Sequence, residues 1–144
     1  MACDSKNEIA SRLDRVVNIQ ENLDNKAQDS TLIYLRQAQH LLDNTKNSPD
    51  SLQAKNNFLI GYYFKDIGRI DSAATYFRKA TEYVKDSISN HVQVKYFQYT
   101  FNALKNLELY GECYSINQEF QALLDRDKFE YAMSWSLYLS LIHI

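Results

Sequence analysis

The chain has 144 residues, 45% of them hydrophobic and 13% aromatic, with a formal net charge of −2. That is the length of one domain, long enough to bury a core without disulfides or metal. The aromatic content and low charge exclude disorder for most of the chain, and the balance of acids and bases excludes the basic face that a nucleic-acid partner requires.

Three glycines and one proline are too few for the turns of an all-β fold. Helix formers are abundant, so the expected class is all-α with long helices and short connections. No stretch reaches the roughly 18 consecutive apolar residues of a membrane span.

In chain order, residues 1–5 read as an N-terminal tail. The run Met1-Ala2-Cys3-Asp4-Ser5-Lys6-Asn7 places a cysteine after a small residue and before polar ones. It resembles the start of a mature bacterial lipoprotein, although the preceding apolar segment of that family is missing here. The resemblance implies acylation at Cys3; the plain alternative is an exposed cysteine.

Helix one is expected over Lys6 to Leu23, with Ile9, Leu13, Val16 and Val17 on one side and Ile19 beside them. Asp24 to Gln28 is a polar connection. Asp29 or Ser30 is the expected cap of helix two, which carries Leu32, Leu35, Ala38 and Leu42. Ser48 as cap with Pro49 at the first helical position should start helix three. That helix should run to Ile67 and stop at Gly68, a residue able to take the left-handed conformation. Asp71 is the expected cap of helix four, which holds Ala74, Phe77, Ala80 and Val84. Asn90 is the candidate cap of helix five, expected to end at Gly111. Helix six covers Glu112 to Leu124, with Cys113 read as a small buried residue. A seventh helix should begin near Asp127 and contain Met133, Trp135 and Tyr138.

The last six residues, Leu139-Ser140-Leu141-Ile142-His143-Ile144, can be encoded by CTG TCT CTT ATA CAC ATC. That string is similar to the mosaic-end adapter of transposase-based sequencing libraries. Residues 139–144 therefore read as a non-native tail.

Internal repetition is the strongest signal. In Ile60-Gly61-x-x-Phe64-x-x-x-Gly68-x-x-x-x-Ala73-x-x-x-Phe77-x-x-Ala80, every position has a mechanical reason. Gly61 admits a close approach of two helices. Phe64 and Phe77 fill the space between them, and Gly68 makes the turn. Ala73 and Ala80 are small where neighbouring units meet. The spacing resembles the tetratricopeptide repeat (TPR) family, counted from Ala54. Asn57 stands where that family has Trp, and Lys85 where it has its closing Pro.

A second unit is expected 43 residues on. There Gly111 answers to Gly68, Leu107 to Phe64, Phe120 to Phe77, Leu123 to Ala80 and Leu104 to Gly61. A third lies 42 residues upstream, where Leu35 and Ala38 mirror Phe77 and Ala80. The expected units are 6–46, 54–87 and 88–125, with a further one starting at 127–138, all within one domain over 6–138. The resemblance implies a right-handed superhelix of antiparallel helical hairpins, about seven helices in all.

It also implies a concave face, lined by the first helix of each unit, that receives a protein or peptide. The residues it puts there are Lys55, Phe58, Tyr62, Lys65 and Asp66, followed by Gln98, Phe101, Lys105 and Glu108. Rings would supply contact area and lysines would orient an acidic group; the same rings also fit a role as core between repeats. Replacement of Lys55, Phe58 or Lys65 is expected to leave folding nearly intact. Among the tyrosines, Tyr62, Tyr63, Tyr96, Tyr99 and Tyr110 are candidates for a binding strip, whereas Tyr63, Tyr76 and Tyr83 suit core positions with the hydroxyl at the edge.

Catalytic chemistry finds no pattern to rest on. His40, His91 and His143 share no ligand spacing. The carboxylates sit at helix starts and on polar faces, where capping explains them. No phosphate loop, nucleophile elbow or Cys-His pair occurs, so neither an enzyme nor a cofactor or metal is expected. The expected function is a protein- or peptide-binding module in the sensor or scaffold part of an envelope-anchored bacterial signalling protein. The alternatives are the peptide-sensing part of a cytoplasmic transcriptional regulator and a small free-standing adaptor. Contact with a membrane is expected only through Cys3; the oligomeric state is open.

Overall fold

The computed structural model describes residues 6–23, 28–84 and 91–127. These form six α-helices and no strand: α1 (Lys6–Glu21), α2 (Gln28–Asp43), α3 (Asp50–Asp66), α4 (Ile70–Glu82), α5 (His91–Asn106) and α6 (Tyr110–Asp127). The seventh helix, the 139–144 tail, Cys3 and the Asn90 cap fall outside the described residues.

Each helix packs on the next, and α1 also meets α3. Rings of α3 touch rings of α5, and Arg78 of α4 reaches Glu112 of α6 at 2.8 Å. The described helices thus form two layers, α1–α3–α5 and α2–α4–α6. This is the all-α hairpin array expected from the sequence. No described helix is long and apolar enough to cross a membrane.

The hairpin turns show how the chain reverses. After α3, Gly68 takes φ +82°. Its N–H donates to the Lys65 carbonyl at 3.0 Å, and the Arg69 N–H donates to the Phe64 carbonyl at 2.8 Å. This is the Schellman pattern, which satisfies the last carbonyls of a helix. The same pattern recurs after α5, but with Glu108 at φ +60°. The Glu108 N–H donates to Lys105 O at 2.9 Å, and the Leu109 N–H to Leu104 O at 3.0 Å. The second unit therefore lies 40 residues on (Gly68 to Glu108), not 43, and α5 ends at Asn106. Gly111, expected to make this turn, sits in the first turn of α6 with open space around it. A glutamate holds the left-handed position because the hydrogen bonds and the packed hairpin impose it; the conformation itself costs roughly 1 kcal/mol.

This register changes the pairing of side chains. Leu104 answers to Phe64, Cys113 to Ala73, and Phe120 to Ala80. Phe101 answers to Gly61, and Asn117 to Phe77. In the first hairpin a large ring on the second helix faces glycine on the first; in the second hairpin the ring sits on the first helix instead. Small and large have exchanged sides, so the space between the helices stays filled. In the upstream unit Leu35 and Ala38 are buried as Phe77 and Ala80 are, and the structure extends the match to Leu42 and Val84.

Three helix starts differ from the expected caps. Pro49 is itself the cap of α3, with extended ψ of 135°, and helix begins at Asp50. Ser48 instead accepts a hydrogen bond from Gln53 Nε2 at 3.1 Å. Asp71 and Asp29 lie inside the first turns of α4 and α2. There they favour the positive end of the helix dipole without capping it.

The main core runs from Leu35 through Phe77 and Phe97 to Phe120. Phe97 and Phe120 stack at 5.3 Å, nearly parallel. Each fully buried ring contributes about 1.5–3 kcal/mol. A second, smaller cluster of Val16, Ala38 and Leu42 joins α1 to α2. A buried row of amides runs beside it. Asn56 Nδ2 donates to Gln39 Oε1 at 2.9 Å and to the Leu35 carbonyl at 3.1 Å. Gln20 Nε2 donates to Leu52 O at 3.1 Å and to Asn56 Oδ1 at 3.4 Å, and Gln39 Nε2 to Gln53 Oε1 at 2.9 Å. Side chains from α1, α2 and α3 meet in this row. Cys113 is buried as expected, its thiol near the Phe101 carbonyl. Burial, and then the Glu112 carboxylate, push that thiol up, which suits an inert core residue.

Candidate functional site

The sequence-based candidates separate into three groups. Phe58, Tyr62 and Lys65 of α3 come together with Gln98 of α5, and Tyr96 and Tyr99 complete the cluster. Phe58 lies 5.1 Å from both Tyr96 and Tyr99 and 5.5 Å from Phe77, measured between ring centroids. Tyr62 meets Tyr99 edge-on at 6.0 Å. The Lys65 ammonium sits 5.2 Å from the centre of the Tyr62 ring and 5.7 Å from that of Tyr99. Both distances lie within the range of a cation–π contact.

Phe101, Lys105, Glu108 and Asp66 do not join this cluster. Phe101 is core, 3% exposed, because it takes the place of Gly61 between paired helices. Lys105 acts on Cys113 of α6, and Glu108 belongs to the turn. Asp66 faces a different cavity, described below. Lys55 is half-buried on α3, one turn before Phe58 on the same face of the helix. Phe58 also departs from expectation. With four rings around it, its removal should destabilise the fold, so the expected neutrality of that substitution is withdrawn.

Beside the rings lies a groove of about 260 Å³ between α3–α4 and α5. Phe77, Ala73 and Ala103 line it with apolar surface, and Lys65 of α3 and Tyr99 of α5 also line it. Gln98, Asn102 and Asn106 contribute a row of amides spaced one helical turn apart on α5. The volume falls below the roughly 300–1,000 Å³ of small-molecule sites. It suits one or two side chains of a longer ligand. Asn102 and Asn106 were not among the sequence-based candidates; only their four-residue spacing with Gln98 could have marked them.

A larger cleft, about 580 Å³, lies on the other layer between α2 and α4. Arg36 and Lys79 line it together with Asp43 and Glu82, so opposite charges offset one another. Tyr63, Tyr76 and Tyr83 pack against the core, as the plain reading of the tyrosines had it. Tyr110 is exposed on α6, away from the strip.

Tyr96 is 3% exposed, and burial pushes its phenol up to about 12 from 10.0. Below pH 10 the phenol is neutral in both folded and unfolded chains. Between about 10 and 12 only the unfolded chain ionises, so stability falls as pH rises through that window. A rise from 10.0 to about 12 corresponds to about 2–3 kcal/mol. Urea melts between pH 9 and 12 should lose stability in Tyr96→Phe by roughly that amount less than in the parent chain. Equal losses would place Tyr96 in water.

Among the described residues no group of three His, Cys, Asp or Glu side chains could hold a metal ion. The chain matches no protein-family model, no curated protein and no solved structure.

Proposed function

We propose that the chain is a TPR-like module that binds a protein or peptide segment along the α1–α3–α5 layer. One observation carries the reading. Lys65 of α3 lies against the rings of Tyr62 and Tyr99 and lines a groove together with the amide row Gln98, Asn102 and Asn106 of α5. The rings fix the ammonium in place, and its N–H groups suit an acidic group on the ligand. Amides can donate to and accept from an extended backbone. The hairpin repetition and its resemblance to the TPR family support the same reading, since stacked hairpins present such a surface.

A phage-displayed peptide library selected against the chain, followed by calorimetry, tests the proposal. Selected peptides should carry an acidic residue. Lys65→Gln and Asn102→Ala should each weaken binding about tenfold while the melting temperature holds. Peptides that bind equally well to both variants would overturn this site.

A further inference from the structure

A second cavity of about 180 Å³ lies between the end of α1, the start of α2 and α3. Gln20, Leu23, Thr31, Leu59, Tyr62, Tyr63 and Asp66 line it. Leu23 and Leu59 make part of the wall apolar. The polar part holds one carboxylate, one amide and three hydroxyls.

Gln20 is 6% exposed. Both partners of its Nε2, Leu52 O and Asn56 Oδ1, are acceptors, so the amide cannot be turned round without losing them. Its Oε1 is consequently buried with no hydrogen-bond partner. A buried acceptor without a donor is unfavourable, and it needs an explanation. Asp66 adds a carboxylate to the same lining.

Two further features agree. Gln20 lies in the last turn of α1, which has no basic residue, so the negative end of the helix dipole is not offset there. Among the described residues none that lines it is basic; Lys65 lines the neighbouring groove instead. Two tyrosines stand in the wall, and ring faces attract cations.

We infer that this cavity is a subsite for an alkylammonium or guanidinium group, the side-chain end of a lysine or arginine on the bound partner. The stem would lie against Leu23 and Leu59, and the charged head would meet Asp66 and the unmatched Gln20 acceptor. Tyr62 lines this cavity and also contacts Lys65, so an acidic and a basic residue of one ligand would sit on either side of a single ring. The inference rests on the proposed function for the source of the cation, but its chemistry can be measured without a peptide.

The test is methyl NMR on the full chain with n-butylammonium, and with n-butanol as its neutral counterpart. Butylammonium should move the Leu23 and Leu59 methyl signals, butanol should not, and Asp66→Asn should weaken the ammonium about tenfold. Equal shifts with both probes, no shift with either, or unchanged affinity in Asp66→Asn would each overturn the subsite. Ammonium binding in a chain that selects no peptide would leave the subsite standing and overturn the peptide reading. Peptide binding without ammonium binding would do the reverse.

Discussion

Phe77→Ala is expected to destabilise the chain by about 3–5 kcal/mol. The ring is fully buried. It touches Phe58 and Tyr99, each at 5.5 Å, and lies over Gly61, so truncation opens a cavity shared by three helices. Gly61 is the other half of this contact. A Cβ added there would stand 2.6 and 2.7 Å from two carbons of the Phe77 ring and 3.2 Å from the Ala73 carbonyl. Gly61→Leu should therefore cost about 1–3 kcal/mol on its own. The two changes share one space, so they should not add. In the double variant the leucine occupies what the ring vacated, and about 1–2 kcal/mol should return. Urea melts of the three variants measure this. Strict additivity would mean that the two side chains do not face each other, and the hairpin register described here would be wrong.

The second large effect is expected at Asn56. Asn56→Leu takes the Asn56 donor from Gln39 Oε1 and the Asn56 acceptor from Gln20 Nε2. All of these lie in or beside buried space, where such losses cost about 2–3 kcal/mol. Removing Gln39 as well, as Gln39→Met, clears the acceptor stranded by the first change but takes the donor from Gln53 Oε1, so the double variant should lose less than the sum of the two single changes. If Asn56→Leu instead stabilises the chain, the amide row contributes nothing to stability, and the apolar clusters alone hold α1 and α2 on α3.

These residues also mark how far the sequence could be read. Gly61, Phe64, Gly68, Ala73, Phe77 and Ala80 were legible because each serves a local geometric need that only a few residue types meet. The amide row was not. Gln20, Gln39, Gln53 and Asn56 look like polar surface until three helices are brought together. The ring cluster beside the groove was half legible: Phe58, Tyr62, Lys65 and Gln98 follow from the repeat, while Phe101 belongs to the core. The misplacement has a simple origin. Glycine was taken as the marker of the second turn, and Gly111 was the only glycine near it. The turn needed a left-handed residue and took Glu108, because tertiary contacts can impose on a glutamate what a glycine adopts freely.

The sequence by itself determined the class of fold, the number and order of the six described helices, the hairpin interior of residues 54–84 and the burial of Leu35, Ala38 and Phe120. All of these follow from helical periodicity and from the scarcity of glycine and proline, which act within a turn or two of chain. The spacing of the second repeat, the exchange of large and small side chains between hairpins, the amide row and the unmatched acceptor of Gln20 were decided only by the tertiary structure. Each depends on which side chains from different helices share a space, and periodicity along one helix carries no information about its neighbour.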